Sequence, residues 1–302
     1  MNKLIHQIHE LSQQLIDEDI YMGGKGFYKI EGIVPFPDVK NTYFSTSMRD
    51  QEKCLLEFAA SDIDHVQMQK YLRRALFLMV LEKNKNIVTA LDFSIDASRA
   101  FVVLEWIAGK NLNSILKHTT LGLKESLWIV SDMCVALEHL AEFSFIHRNV
   151  TPKNITIREK TGEAYLGGVE NLTLSDFLQT KLEVNNNYVS PELVQSLLYP
   201  DRQVFITPWS DIYSLGAVFF HMVTGEPPFP KKVDMGKWCL RAPLPKVKNQ
   251  MLSRKERKYC QYLVDKTMHR NFLKRWSPRQ LKNYVLAYLE NANREKDMER
   301  WT

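Results

Sequence analysis

The most informative segment of the sequence is FIHRNVTPKNITI, residues 145–157. Three further stretches follow it in the chain: YVSPE (188–192), WSDIYSLGAVFFHMVTGEPPF (209–229) and KRWS (274–277). One such motif alone is a weak signal. Four motifs in this order and spacing indicate one specific fold, so the remaining sequence is best interpreted outward from them.

Hydrophobic patterning around these motifs predicts strands first and helices afterwards, an α+β arrangement. The predicted strands lie in YKIEGIV, TYFSTSM, KCLLEFAA, IVTALDFSI and AFVVLEWI, with a helix over 64–81 among them. From residue 112 onward the pattern is mostly helical, over 123–143, 210–223, 253–268 and 277–291. Residues 4–16 place apolar side chains on one helical face, which either docks on its own chain or binds a partner.

Composition is that of an ordinary globular protein: 302 residues, 45% hydrophobic and 25% charged. The length suggests two domains or one bilobal unit. No apolar run is long enough to cross a bilayer, and the N-terminus lacks a signal-type apolar stretch, so a cytoplasmic location is expected. The four cysteines form no CxxC pair, which favours reduced thiols over a zinc or redox site.

The four motifs resemble the C-lobe of the protein kinase family. They stand where that family has its HRDLKPxN loop, its APE motif, its DxWSxG helix with GxPPF, and a late arginine. Upstream, NIV (86–88) is similar to the turn after helix C, and FVVLEWIAGKNL (101–112) to the last N-lobe strand and hinge.

This resemblance implies a bilobal protein-kinase-like fold, with a small β-rich N-lobe and a larger helical C-lobe. The expected parts are an N-terminal amphipathic helical extension (1–22), the N-lobe (27–107), the C-lobe (108–288) and a polar C-terminal tail (289–302) that frays.

Several positions that the resemblance assigns to nucleotide binding are altered. The glycine-rich loop reads PFPDVK (35–40), and proline lacks the N–H that would approach phosphate. Glu57 stands at the strand-3 lysine position, which replaces attraction to phosphate by repulsion of about 4 kcal/mol at ~4 Å and an effective dielectric of ~20. Leu55 adds bulk where alanine covers adenine, and Ala75 stands at the helix-C glutamate position. Lys40 is either a solvated hairpin lysine or a phosphate contact, as in the with-no-lysine kinases.

The catalytic loop is altered as well. Asn149 stands at the position of the general base, whose removal lowers rates by about 10²–10⁴. Asn154 matches the metal-binding asparagine, but Gly168 stands where the family has its DFG aspartate, and Glu170 substitutes only with a two-residue shift of register. Metal binding is therefore expected to be absent, and ATP or Mg²⁺ binding weak or absent.

The family's structural groups are retained. His147 and Arg148 remain in the loop, Asp211 matches the aspartate that accepts from loop backbone, and Glu192 with Arg275 matches the pair that fastens the activation segment. The candidate nucleotide-pocket residues are Lys40, Leu55, Glu57, Leu104, Glu105, Ile107 and Gly168.

These replacements predict a pseudokinase, a protein that is not an enzyme and acts as a scaffold or an allosteric regulator of a protein partner such as an active kinase or signalling complex. An alternative is an atypical nucleotide-using transferase that works with Lys40 and Glu170. A second alternative is a basic adaptor for nucleic acid or anionic membrane.

The second alternative rests on charge. Residues 231–282 hold 16 basic and 3 acidic side chains, although the whole chain is only +5. Such a region is either a solvated face or a surface for an acidic partner, nucleic acid or lipid. Few aromatic residues are interleaved with the basic ones in 246–258, so base stacking is poorly supported, although nucleic acid is not excluded. Thr173, Ser175 and Thr180 are candidate phosphorylation sites that would pair with Arg148.

Overall fold

A six-stranded antiparallel sheet dominates the first of the two units into which the chain divides. The computed structural model describes residues 19–34, 41–59, 65–81, 83–94, 100–168, 172–174, 187–199, 201–229 and 243–298. The sheet unit takes residues up to 82 together with 88–106, and the helical unit takes 83–87 and everything from 107.

In the sheet unit the strands follow the order β1-β2-β3-β4-β6-β5. Their bounds are β1 Ile20–Met22, β2 Phe27–Ile33, β3 Thr42–Ser47, β4 Lys53–Phe58, β5 Ala90–Ser94 and β6 Phe101–Glu105. Helix α1, His65–Val80, packs beside β5. The five predicted strands and the predicted helix are therefore confirmed.

The alternation of side chains along β4 sorts its residues between two faces of the sheet. Cys54 and Leu56 are buried in a hydrophobic cluster with Phe101 and Val103 of β6. Leu55 and Glu57 consequently lie on the opposite face. This sorting matters for the site, because Leu55 and Glu57 are the two β4 residues that the sequence assigns to a nucleotide pocket.

The GGKG segment, residues 23–26, connects β1 to β2. Its closure depends on the buried carboxylate of Asp92. That carboxylate accepts from the Lys25 backbone N–H at 2.7 Å and from the Tyr28 hydroxyl at 2.8 Å. A Cβ on Gly23 would stand 2.4 Å from Asp92 Oδ2, so glycine is needed for this close approach.

The helical unit is built around two buried helices, α3 and α5, which pack against each other. Its helices are α2 Leu112–Leu116, α3 Leu123–Glu142, α4 Pro191–Leu198, α5 Pro208–Thr224, α6 Arg254–Thr267, α7 Pro278–Leu289 and α8 Arg294–Asp297. Its short strands are β7 Gly109–Asn111, β8 Phe145–Ile146, β9 Ile155–Arg158, β10 Ala164–Leu166 and β11 Thr173–Leu174. The sheets are β10-β9-β7 and β11-β8.

Both ends of the chain depart from expectation. The predicted helix over 4–16 lies outside the described residues, and Ile20–Met22, assigned to the helical extension, form strand β1. The polar tail was expected to fray, yet Arg294–Asp297 form helix α8 and Met298 is fully buried. The tail docks because Arg294 and Asp297 find charged or polar partners on α3.

The α+β fold predicted from the kinase resemblance is confirmed, with a strand-rich N-terminal region followed by a helical region. Among the described residues, no helix has both the length and the apolar content that crossing a membrane would require.

Candidate active site

The candidate active site centres on the loop between β8 and β9. Strand β8 pairs with β11, through Ile146 opposite Thr173, and fixes where the loop begins. Arg148 then adopts a φ of 62°, in the left-handed region, which turns the chain sharply. A 3₁₀ turn over Pro152–Asn154 leads into β9, so the loop is held by ordered structure on both sides.

Asp211, in the first turn of α5, holds the start of this loop. Its two carboxylate oxygens accept from the backbone N–H groups of His147, at 2.7 Å, and Arg148, at 2.8 Å. Burial raises the pKa of Asp211 to about 7, while the two backbone donors and the Arg148 charge oppose that shift. The sequence expectation that Asp211 anchors the loop agrees with this geometry.

His147 links the loop to the end of β10. Its Nδ1 accepts from the Asn149 backbone N–H at 3.3 Å, so Nε2 carries the proton and donates to the carbonyl of Gly167 at 2.9 Å. Burial lowers the pKa of His147 to about 4, which keeps the ring neutral near pH 7. The histidine is thus a structural crosslink and is not placed to exchange protons with a substrate.

Asn149 is the partly exposed residue of an otherwise buried segment, His147–Val150. Its backbone carbonyl accepts from Asn154 Nδ2 at 2.8 Å. The Asn154 carbonyl in turn accepts from the Gly167 N–H at 2.8 Å. These bonds fix the backbone on each side of Asn149, whose side chain is partly exposed.

Gly168, which the sequence resemblance assigns to the aspartate position of DFG, has a φ of +67°, where non-glycine residues are strained. A Cβ there would lie 2.2 Å from Asn154 Cγ. The Asn154 amide therefore fills the space into which an aspartate side chain at 168 would project. Glycine at this position is a packing requirement of the described conformation.

The family implies a Mg²⁺ ion here, and the described residues do not fit one. Asn154 supplies a single neutral amide. Asp211, the carboxylate that is hydrogen-bonded to this loop, already accepts from two backbone N–H groups. No cluster of three or more His, Cys, Asp or Glu side chains suited to a metal occurs in the described ranges. Magnesium prefers carboxylates together with phosphate oxygens. Glu170 lies outside the described residues.

The Glu192–Arg275 pair fastens α4 to the segment before α7, as expected from the sequence. Arg275 donates from Nη1 to Oε1 at 2.5 Å and from Nη2 to Oε2 at 2.8 Å, and both side chains are buried. Three backbone carbonyls accept the other guanidinium N–H groups, those of Trp209, His269 and Arg270. All five donors of the guanidinium are therefore used.

The candidate pocket residues divide between the units. In the sheet unit Leu55 lies opposite Leu104, and Glu57 opposite Val102, in the β4–β6 ladder, so Leu55, Glu57 and Leu104 share one face. Glu105 pairs with Cys54 and alternates onto the other face. In the helical unit Ile107 is buried and Gly168 closes on Asn154. Lys40 lies outside the described residues, and a nucleotide role for all seven stays a prediction.

Two sequence hypotheses lose support from the packing. Thr173 is buried in β11, which makes its hydroxyl a poor phosphorylation site, and Ser175 and Thr180 lie outside the described residues. Within the basic region, Arg275 is buried, and Arg279 and Lys282 both pair with Glu138 at 2.6 Å. Part of the positive charge is thus neutralised internally.

A hydrogen-bonded loop of this kind, with its aspartate anchor on α5 and a buried Glu–Arg pair, is typical of the protein kinase fold. The family model for the protein kinase domain matches residues 47–286, most of the chain. The chain therefore belongs to the protein kinase family.

Curated relatives agree with that family. The chain is 26% identical over 188 residues to serine/threonine-protein kinase A of Synechocystis, which covers 56% of the chain and 35% of the relative. It is 31% identical over 150 residues to a probable serine/threonine-protein kinase of Clostridium perfringens, covering 48% and 21%. It is 29% identical over 171 residues to serine/threonine-protein kinase chk-2 of Caenorhabditis elegans, covering 52% and 34%. The matches thus span about a third or less of these relatives.

The prediction that the chain is not an enzyme is contradicted by these comparisons, because the relatives are named as serine/threonine kinases. The physical error was to treat each replaced group as indispensable. Phosphoryl transfer demands little covalent chemistry from the protein and depends mainly on positioning and electrostatic stabilisation. A missing base lowers the rate by about 10²–10⁴ and leaves those contributions in place.

Proposed function

We propose that the chain is an atypical serine/threonine protein kinase, which transfers the terminal phosphoryl group of a nucleoside triphosphate to a hydroxyl on a protein. The observation that carries this proposal is the fixed backbone around Asn149. His147 and Arg148 donate to Asp211 on one side, and Asn154 donates to the Asn149 carbonyl on the other. These hydrogen bonds, including one between residues 64 apart in sequence, hold the loop in one conformation. A loop held in this way is suited to positioning a substrate.

Asn149 would act by orientation alone. Its side-chain oxygen can accept a hydrogen bond from the substrate hydroxyl and direct that oxygen toward the phosphorus. A carboxamide does not keep the proton, so the proton passes to water as the new P–O bond forms and the bond to the nucleotide breaks. The consequence is a slow kinase, about 10²–10⁴ below one with a carboxylate base.

The phosphate charge must be met by groups other than those at the usual positions. Lys40 is the candidate phosphate contact, on the sequence argument given above, and Glu57 contributes no attraction to an anion. Because the described residues do not fit Mg²⁺, no step of this proposal depends on a metal held by Asn154 and residue 168. Glu170 stays a sequence candidate for that role.

The test is phosphoryl transfer by the purified full chain and by two variants at one position. Asn149→Asp supplies a base on the same frame and is expected to raise the initial rate by 10-fold or more, whereas Asn149→Ala removes the orienting oxygen and lowers it. Equal rates in wild type and Asn149→Ala, at any level, would contradict a catalytic role for this loop. A wild-type rate at the level of a protein-free blank would reject the kinase activity itself.

The protein partner belongs to the same proposal. Lys255 and Lys258 are exposed on α6, and they offer an acidic protein a surface within the basic region 231–282. Neutralising both, in Lys255→Gln/Lys258→Gln, should weaken binding to an acidic protein substrate in a salt-sensitive way and leave peptide phosphorylation unchanged.

A cytoplasmic location stays a prediction.

A further inference from the structure

The docked segment Arg294–Met298, here called the strap, contacts the hairpin that leads directly into Gly167 and Gly168. The hairpin consists of β9 and β10, and its turn is at Gly162. The strap was expected to be a frayed tail, and nothing in the proposed chemistry uses it. Its contacts form a continuous path toward the catalytic loop.

The path begins at an ion pair between partly exposed Arg294 and buried Asp132. Arg294 donates through both terminal nitrogens to the carboxylate of Asp132 on α3, and Nη2 also donates to the carbonyl of Gly162 at 2.9 Å. Asp132 is 4% exposed, and burial raises its pKa while the Arg294 charge opposes that shift. Without Arg294, Asp132 would be left as a buried charge with a single backbone donor.

That backbone donor is the next step of the path. Asp132 Oδ2 accepts from the N–H of Ala164, the first residue of β10, at 2.8 Å. Strand β10 continues for three residues, about 10 Å. It ends at Leu166, and the next residue, Gly167, donates its N–H to the Asn154 carbonyl and accepts at its own carbonyl from His147. The Asp132 carboxylate therefore connects the strap to β10, the strand that leads into the Gly167 contacts with the catalytic loop.

Apolar and aromatic contacts hold the strap in place. Met298 is fully buried and packs on Gly162, where a Cβ would stand 2.6 Å from Met298 Cβ and φ is +63°. Trp128 Nε1 donates to Asp297 Oδ2 at 3.2 Å, and the Arg294 guanidinium lies 5.3 Å from the Trp128 ring centroid. Because α8 has only four residues, its stability comes from these contacts, and such elements open more readily than a core helix.

We propose that Arg294 and Asp132 are positioning residues: with the strap docked they hold β10, and through it Gly167, against the catalytic loop, so that strap release lowers phosphoryl transfer. The inference rests on the proposed kinase function for its effect on rate. The coupling of strap to strand does not depend on that function and can be measured separately.

Hydrogen exchange on the full chain, followed by mass spectrometry, tests the coupling. In Arg294→Gln the amides of Ala164 and Gly167 should exchange at least 10-fold faster, while those of buried α5 stay unchanged. Arg294→Lys keeps the positive charge but loses the bidentate contact with Asp132, so its exchange rates should lie between those of wild type and Arg294→Gln. Lys296→Gln, on the same helix with an exposed side chain, is the matched control and should behave as wild type.

Kinetics of the same variants test the consequence. Arg294→Gln should lower kcat about 10-fold with little change in KM for the protein substrate, and Arg294→Lys should restore part of the loss. Unchanged exchange at Ala164 and Gly167 in Arg294→Gln would overturn the coupling, as would equal acceleration across α5. If exchange responds as expected while no variant transfers phosphate, the proposed function has failed and the coupling has not. If exchange responds and wild-type and Arg294→Gln rates are equal, the positioning role is rejected.

Discussion

Replacing Arg275 by methionine should be among the most destabilising single changes in the helical unit. The substitution keeps most of the side-chain volume and removes five N–H donors at once. Glu192 is then left buried with Ser210 Oγ, at 2.7 Å, as its remaining side-chain donor, and three backbone carbonyls lose their partner. Breaking a buried pair by removing one member costs about 3–5 kcal/mol.

Thermal unfolding monitored by circular dichroism measures this loss. For a unit of 150–250 residues, 1 kcal/mol shifts Tm by about 2–4 °C, so a decrease of roughly 6–20 °C is expected. Arg279→Met is the matched control, because Arg279 is 71% exposed and pairs with Glu138 at the surface. Such a pair contributes about 0–1 kcal/mol, so the control should unfold within a few degrees of wild type.

Two further variants separate the effect of the Arg275 charge from that of its bidentate contact with Glu192. Arg275→Lys keeps the charge but cannot form the bidentate contact, so its Tm should lie between those of wild type and Arg275→Met. The double variant Glu192→Leu/Arg275→Met removes both charges and should be more stable than Arg275→Met alone. An equal Tm for Arg275→Met and Arg279→Met would show that the buried pair does not stabilise the helical unit.

Three other substitutions test His147, Gly168 and Tyr28 separately. Because the pKa of His147 is lowered from 6.5 to about 4, the unfolded state binds its proton first. Its contribution, about 3 kcal/mol, is thus complete above pH 6.5 and is lost as pH falls toward 4. Asp211, whose pKa is raised to about 7, has the opposite effect on stability between pH 4 and 7. The test is therefore the difference between the urea-unfolding free energies of wild type and His147→Gln. This difference should shrink as the pH is lowered from 7 to 4, and a pH-independent difference would contradict the prediction. Gly168→Ala should destabilise by at least about 1–2 kcal/mol, since a positive φ and Asn154 oppose any Cβ, and an unchanged urea midpoint would disprove that packing. Tyr28→Phe removes the hydroxyl bound to buried Asp92 and should cost about 1.5–3 kcal/mol by the same assay, whereas no change would mean that the hairpin closes without it.

The elements could be predicted because their signals are local. Alternation in TYFSTSM and helical spacing over 123–143 are readable within a few residues, and β3 and α3 form within one residue of expectation at each end. The bounds of β9 and β10 had no such signal, since each has four residues or fewer. Their pairing depends on residues elsewhere in the helical unit.

The loop frame could be predicted only through the family resemblance. Asp211 is 64 residues from His147, and Glu192 is 83 from Arg275, so neither contact has a local pattern. The packing of Asn154 against Gly168 was not anticipated, although glycine at that position was the available signal. It identifies a required backbone conformation where the sequence suggested only a lost carboxylate.

The strap and the GGKG hairpin were missed for a related reason. Arg294 and Asp132 are 162 residues apart, and a polar, charged terminus has the composition of a frayed tail. The hairpin closes on Asp92, which follows Lys25 by 67 residues. Composition describes average exposure, whereas one buried carboxylate on a distant element determined the structure in both places.

A product balance tests whether the chain transfers phosphate to protein hydroxyls. Purified chain is incubated with a nucleoside triphosphate and a mixture of serine- and threonine-containing peptides, and diphosphate and phosphopeptide are quantified together by mass spectrometry. We expect slow formation of both products in a 1:1 ratio, with phosphate on hydroxyl side chains and a faster rate for Asn149→Asp. Diphosphate without phosphopeptide, or neither product from wild type and Asn149→Asp alike, would contradict this expectation.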